Sequence, residues 1–395
     1  MIDALPVKPA KPRPDFPLTA HASGKWCKKI RGRIYYFGRW DDPDAAERDY
    51  DRLKHALREG RTPMDVEPDT LIVRQFFVNF LSRQLERVKA GSMTERSYVD
   101  QRKALADFAR AVNPTRLVAD LRPIDFANAR TAWGKRLGPY AIGRYISHVK
   151  SAFRWGERNG YITLPIAMGD GFNKPSISER RRSQRQKAQE HGEKLFTPAE
   201  CRRLVNAADA PLKAMILLGL NCGFLATDVA NLPKGVIDFE DAYIEFPRTK
   251  TEVMRACVIW PETAKALKEA IAIRPKARLG VDDDMVFLTK YGNRWVHDRV
   301  HHGNEGITKV SHVDAIGQEF KRLQMRIGLK RKHRGFSALR TTFRTVADEV
   351  GDRNAVMLTM GHAFPGMDEW YVRKIVRPRL QKVNVHVRRK LLNAK

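Results

Sequence analysis

The chain of 395 residues is poor in cysteine, poor in acidic side chains and without a long apolar run. Its four cysteines, Cys27, Cys201, Cys222 and Cys257, lie far apart and form no CxxC pair. That spacing argues against a zinc module or a disulfide framework and fits a reducing compartment. The longest apolar run, AMILLGL over residues 214–220, is far too short to span a bilayer, and MIDALPVKPAKPRPDF at the N-terminus lacks the apolar stretch of a signal peptide. The expectation is a soluble cytoplasmic protein with no membrane partner.

Acidic residues number 45 against 73 Lys and Arg, a formal net charge of +28. So large an excess on a folded chain points to a polyanionic partner, although a ribosomal or membrane-surface protein could be as basic. The length suggests two or three domains, and a hydrophobic fraction of 43% is ordinary for a globular protein.

Residues 1–17 are rich in Pro and Lys and read as a basic arm. In GKWCKKIRGRIYYFGRW (24–40), six Lys or Arg residues alternate roughly with apolar ones and no acid intervenes. A turn at Arg31-Gly32 makes this a β-hairpin, backed by a helix over 45–60. It is either a plain solvated hairpin or a sheet laid on DNA, with Lys28, Lys29, Arg31 and Arg33 on phosphates. We take the second reading.

Residues 69–165 read as all helical. Phe76, Phe77, Phe80, Leu81 and Leu85 form one apolar stripe; Ile142, Tyr145, Ile146, Val149, Ala152 and Phe153 form another. Both stripes are read as core rather than ligand sites, and the exposed residues between them, such as Arg144, His148 and Lys150, can still face nucleic acid. KPSISERRRSQRQKAQEHGEKL (174–195) has no periodicity and reads as a linker, ended by the capping box TPAE at 197–200. Beyond it come a helical stretch broken at Asn221–Gly223, two strands within 242–261 and a helix over 337–351. The expected fold class is mainly α with a small β-hairpin, α+β. Its domains are 1–65 (arm and hairpin), 66–170 (helical, core-binding), 171–195 (linker) and 196–395 (catalytic).

SALR (337–340), then MGH (360–362), then Tyr371 nine residues after His362, with Lys250 upstream in PRTKTEVMRACVIWP, form an ordered series. It resembles the tyrosine recombinases, or phage-type integrases. In that family a helix bearing His-x-x-Arg precedes a Gly-His pair, the nucleophilic Tyr follows nine residues after that His, and a catalytic Lys sits on a β-hairpin. The resemblance is most specific over residues 196–376. It implies a clamp of two larger domains around duplex DNA, cleavage through a 3′-phosphotyrosyl link, a homotetramer on DNA and no metal or other cofactor. Accessory DNA-bending or directionality proteins are further expected partners, and the cytoplasmic location becomes a nucleoid-associated one. The apolar residues after Tyr371 are expected to dock on a neighbouring copy.

The chemistry suits these residue types. A tyrosine oxygen attacking phosphorus conserves the phosphate bond energy, and an arginine fork matches the charge on the non-bridging oxygens. By resemblance Tyr371 is the nucleophile, Arg340 and His362 hold the phosphate, and Lys250 protonates the departing 5′-oxygen. Two positions depart from the family. Ser337 stands where the His of His-x-x-Arg is usual, and CGFLATDVANL (222–232) puts Leu225 where the first family arginine belongs. Leucine cannot bind a phosphate oxygen, so the gap is filled by another cation or the activity is lost. Arg248 or Arg255 is the expected replacement, Arg248 on the face of Lys250 and Arg255 opposite Lys250 if 251–254 form the turn; contacts to other phosphates are the alternative role. A catalytically silent DNA-binding protein and a type IB topoisomerase-like enzyme are the rival functions.

Overall fold

A computed structural model of the chain describes residues 8–58, 71–162, 165–248, 252–303, 306–363 and 377–393. It divides into two compact units: residues 1–76, 113–121 and 153–166, and residues 77–112, 122–152 and 167–395.

The first unit opens on a three-stranded antiparallel sheet of β1 (Thr19–His21), β2 (Lys25–Ile30) and β3 (Arg33–Arg39). The expected turn is there: Arg31 and Gly32 take φ of 49° and 82°, the two positive values that a two-residue hairpin loop needs. Helix α1 (Pro43–Arg58) packs on β3, closing a small core of Phe16, Leu18, Trp26, Phe37 and Tyr50. The start of α2 (Val73–Lys89) and the end of α5 (Pro139–Arg158) belong here too, with the Phe76 and Phe153 rings 5.2 Å apart.

In the second unit, α3 (Glu95–Val112), α4 (Pro123–Gly134) and the remainder of α2 and α5 meet at an aromatic cluster of Phe108, Phe126, Trp133 and Phe172. Phe76, Phe77, Phe80 and all six stripe residues of α5 are buried, as their helical period requires, while Leu81 and Leu85 are half-buried.

The stretch read as an aperiodic linker contains a helix, α6 (Ile177–His191), opened by a capping box between Ser176 and Glu179. It has no buried residue, so there is no apolar stripe for periodicity to register. The cap and the good helix formers Arg, Gln, Lys and Ala carry it instead.

After the capping box of Thr197 and Glu200, α7 (Pro198–Ala207), α8 (Ala210–Asn221) and the short α9 (Ala226–Ala230) follow. A second antiparallel sheet runs β4 (Ile237–Asp238), β5 (Tyr243–Pro247), β6 (Met254–Val258), and then comes α10 (Pro261–Ala272). A hairpin that the sequence reading missed, β7 (Val296–Gly303) with β8 (Gly306–Asp314), precedes α11 (Ala315–Arg326), α12 (Ser337–Asp348) and α13 (Arg353–Met360). One core joins these elements. Helix α14 (Arg377–Leu391) belongs to it, burying Leu380, Val383, Val387 and Leu391 on their own chain. The apolar residues after Tyr371 were expected to dock on a neighbour; for these four the helical spacing makes a stripe that the chain's own core covers. Among the described residues no helix is long and apolar enough to cross a membrane.

Candidate active site

Three element ends converge on one point: α12, the C-terminus of α13, and the β5–β6 hairpin. Helix α12 holds Arg340 on its buried side, next to Leu339 and Phe343, so the guanidinium reaches out from the core at only 7% exposure. Its Nη1 donates to the carbonyl of Gly223 at 2.7 Å, and its Nη2 to the carbonyl of Met360 at 3.0 Å and to His362 Nε2 at 2.7 Å. All three acceptors are neutral.

Because arginine only donates, His362 Nε2 must accept, which leaves the imidazole proton on Nδ1. Burial, then the charges of Arg340, Arg248 and Arg344, push the His362 pKa down to about 4. The ring is therefore neutral at physiological pH and keeps one N–H to donate. Burial and the Arg248 charge likewise lower Arg340, to about 10, so it stays charged.

His362 is aimed by Gly361, which caps α13 in the left-handed region at φ 62° and ψ 45°. A Cβ there would stand 2.6 Å from Arg255 Cγ and 2.9 Å from Arg248 Cβ, so only glycine lets the turn close on the hairpin.

The hairpin separates the two replacement candidates. Arg255 pairs across the ladder with Phe246, and Met254 with Pro247. The Arg248 amide donates to the Val253 carbonyl at 2.9 Å, so the connection runs from Arg248 to Val253 and Arg255 does not stand opposite Lys250. The turn assumed over 251–254 was misplaced. Arg255 is completely buried, its guanidinium carbon 4.4 and 4.3 Å from the centres of the Phe224 and Phe246 rings. Its counter-charge is Asp228, with Oδ1 3.2 Å from Nη1. Arg248 is half-buried and has no carboxylate partner among the described residues.

Ser337 is the exposed first residue of α12, one turn before Arg340, and among the described residues no side-chain hydrogen bond ties it to the site. Lys250 and Tyr371 lie outside the described residues. Arg340, His362 and Arg248 are the residues of the expected series that come together here.

The expected DNA-contacting residues are spread over both units. In the first, Lys29 and Arg31 are exposed, and Lys28 directs its Nζ to the Pro17 carbonyl at 2.7 Å. Arg33 begins β3, and its side chain is outside the description. In the second, Arg144 lies 3.4 Å from Asp100, Lys150 donates to Asn173 at 3.3 Å, and His148 is half-buried with its pKa lowered by burial.

Sequence reasoning assigned no role to Asp228 or Phe224. The Asp228 signal was available, since it stands three residues after Leu225, and its Oδ2 accepts the Leu225 amide at 2.9 Å to cap α9. No group of three or more His, Cys, Asp or Glu side chains among the described residues is placed to hold a metal ion. All four cysteines are buried free thiols, and burial pushes Cys201 up to about 12.

Residues 194–376 match the Phage integrase family. The fold is similar to that of a lambda integrase dimer bound to a COC′ core site, with a TM-score of 0.54 at 13% identity over 93% of this chain and 99% of that one. It is also similar to a lambda integrase tetramer bound to a Holliday junction (TM-score 0.52, 14% identity, 89% and 96% of the two chains). The Tn1549 transposon integrase in complex with transposon right end DNA gives a TM-score of 0.53 at 14% identity over 79% and 98% of the two chains. No curated protein matches the chain significantly. At these identities the structural likenesses establish the fold.

Proposed function

We infer, because this chain belongs to the phage integrase family of tyrosine recombinases, that it is a site-specific DNA recombinase working through a 3′-phosphotyrosyl intermediate. The Tyr371 oxygen attacks phosphorus, the bond to the 5′-oxygen breaks, and Lys250 gives that oxygen its proton. Arg340 and the Nδ1–H of His362 bind the non-bridging oxygens, and Ser337, one turn before Arg340 on α12, has a hydroxyl that can donate. The reverse attack by a 5′-hydroxyl rejoins a strand, so no external energy source is needed.

The observation that carries this reading is the bond of 2.7 Å between Arg340 and His362, made where every other acceptor of Arg340 is a neutral carbonyl. A buried cation and a neutral imidazole with one free N–H form a receptor for a phosphodiester. The partner is double-stranded DNA, held by the tripartite body of basic hairpin, helical and catalytic domains. A homotetramer is the working assembly, aided by accessory DNA-bending or directionality proteins on the nucleoid in the cytoplasm.

The test is incubation with a nicked, cognate-like DNA duplex, followed by a denaturing gel. Wild-type protein and Tyr243→Phe give a covalent adduct, and Tyr371→Phe gives none while binding the same duplex. An adduct that survives Tyr371→Phe removes Tyr371 from the role. Leu225 favours a second reading, a silent DNA-binding protein; binding without adduct from wild-type protein would establish it.

A further inference from the structure

We propose that Arg248 is the second guanidinium on the scissile phosphate, supplied by the β5–β6 hairpin in place of the arginine missing at position 225. The proposal rests on the recombinase reading above and names a residue it leaves open.

Charge balance is the first argument. Arg248 and Arg255 both act on Arg340, and Asp228, which offsets them in part, lies against Arg255 at 3.2 Å. Arg340 has only neutral acceptors, and Arg248 has no carboxylate partner among the described residues. Two uncompensated cations set close together repel, and a bound anion is what relieves them. After burial, the Arg248 charge is the largest influence lowering Arg340, so the two act on one another.

Position is the second argument. Ile244 and Phe246 point into the core from β5, and Arg248 follows in the same alternation, with its amide still bonded to Val253. Its Cβ lies against Gly361, the residue that aims His362. Leu225, by contrast, heads α9 with no charge to offer, its amide turned to Asp228.

The rival candidate is excluded by its surroundings. Arg255 is sealed between Phe224 and Phe246 at no exposure, so DNA cannot reach it. It supports the floor of the site while Arg248 stands at its edge.

The experiment uses full-length protein and inorganic phosphate as the probe, following the His362 imidazole signals by NMR, so that it does not depend on strand cleavage. Phosphate should shift His362 in wild-type protein. Arg248→Gln should weaken that affinity about ten- to a hundredfold, the loss of one charged hydrogen-bonding partner. Arg248→Lys should lose less, and Leu225→Arg placed in the Arg248→Gln chain should restore binding. Thermal melts show that each variant is folded; if Arg248→Gln is not, the milder Arg248→Lys decides by whether its phosphate affinity falls. Unchanged phosphate affinity in the folded variants, or no phosphate response in wild-type protein, overturns the proposal. An Arg248-dependent response from a protein that forms no Tyr371 adduct would instead refute the recombinase reading and leave the anion site standing.

Discussion

Asp228 Oδ1 lies 3.2 Å from Arg255 Nη1 directly beneath the turn at which Arg340 meets His362. Both side chains are buried, and none of the Arg255 nitrogens makes an aligned hydrogen bond among the described residues. The contact is one of opposite charge, supplemented by the two phenylalanine faces.

Removing one member of such a pair strands the other in a dry place. Arg255→Leu should cost about 3–5 kcal/mol of stability in urea unfolding. Asp228→Asn added to that chain should recover a large part, because asparagine still caps the Leu225 amide through its oxygen. A neutral Arg255→Leu would mean the two charges are not coupled.

Protonation of His362 gives a second measurement. Its pKa of about 4 lies below the ordinary 6.5, so the unfolded chain takes up this proton first as pH falls. Stability from the neutral ring is complete above pH 6.5 and is lost as pH falls from there to about 4. A bound phosphate adds negative charge and moves the pKa upward. DNA binding near pH 5 should therefore take up protons, whereas binding at pH 8 should not. Calorimetry in buffers of different ionisation enthalpy reads this uptake, and His362→Gln should abolish it.

Gly361→Ala joins two penalties, a left-handed backbone costing about 1–2 kcal/mol and a Cβ 2.6 Å from Arg255 Cγ. The α13 cap and hairpin must then separate, carrying His362 away from Arg340. The expected result is a lower melting temperature together with slower adduct formation. A variant that melts earlier but cleaves at the wild-type rate would show that the turn does not aim the histidine.

Much of this was legible in sequence where periodicity or spacing carried it. Buried Phe76, Phe80, Ile146 and Phe153 follow from helical stripes, the Arg31-Gly32 turn from its glycine, and the meeting of Arg340 with His362 from motif order. The hairpin register was not legible, because it depends on the length of a turn that carries no strong signal, and that register decides that Arg255 faces Phe246. Helix α6 escaped for want of an apolar face. The β7–β8 ribbon escaped because its exposed strands mix histidines and charges with few apolar residues, even though Gly303 and Gly306 bracket its tip. The apolar residues of α14 were expected on a neighbouring copy without their helical stripe being read, and four of them are covered by the chain's own core.

The place of α14 in that core also bears on the order of events during synthesis. Leu380, Val383, Val387 and Leu391 come after His362 in the chain, yet they complete the core against which α12 and α13 rest. A nascent chain that has already exposed Arg340 and His362 to solvent still has an unfilled wall behind them. Domains generally fold as units, so the packing behind Arg340 and His362 is complete only once α14 has emerged from the ribosome. A chain that stops short of α14 is expected to lack the support that holds Arg340 against His362.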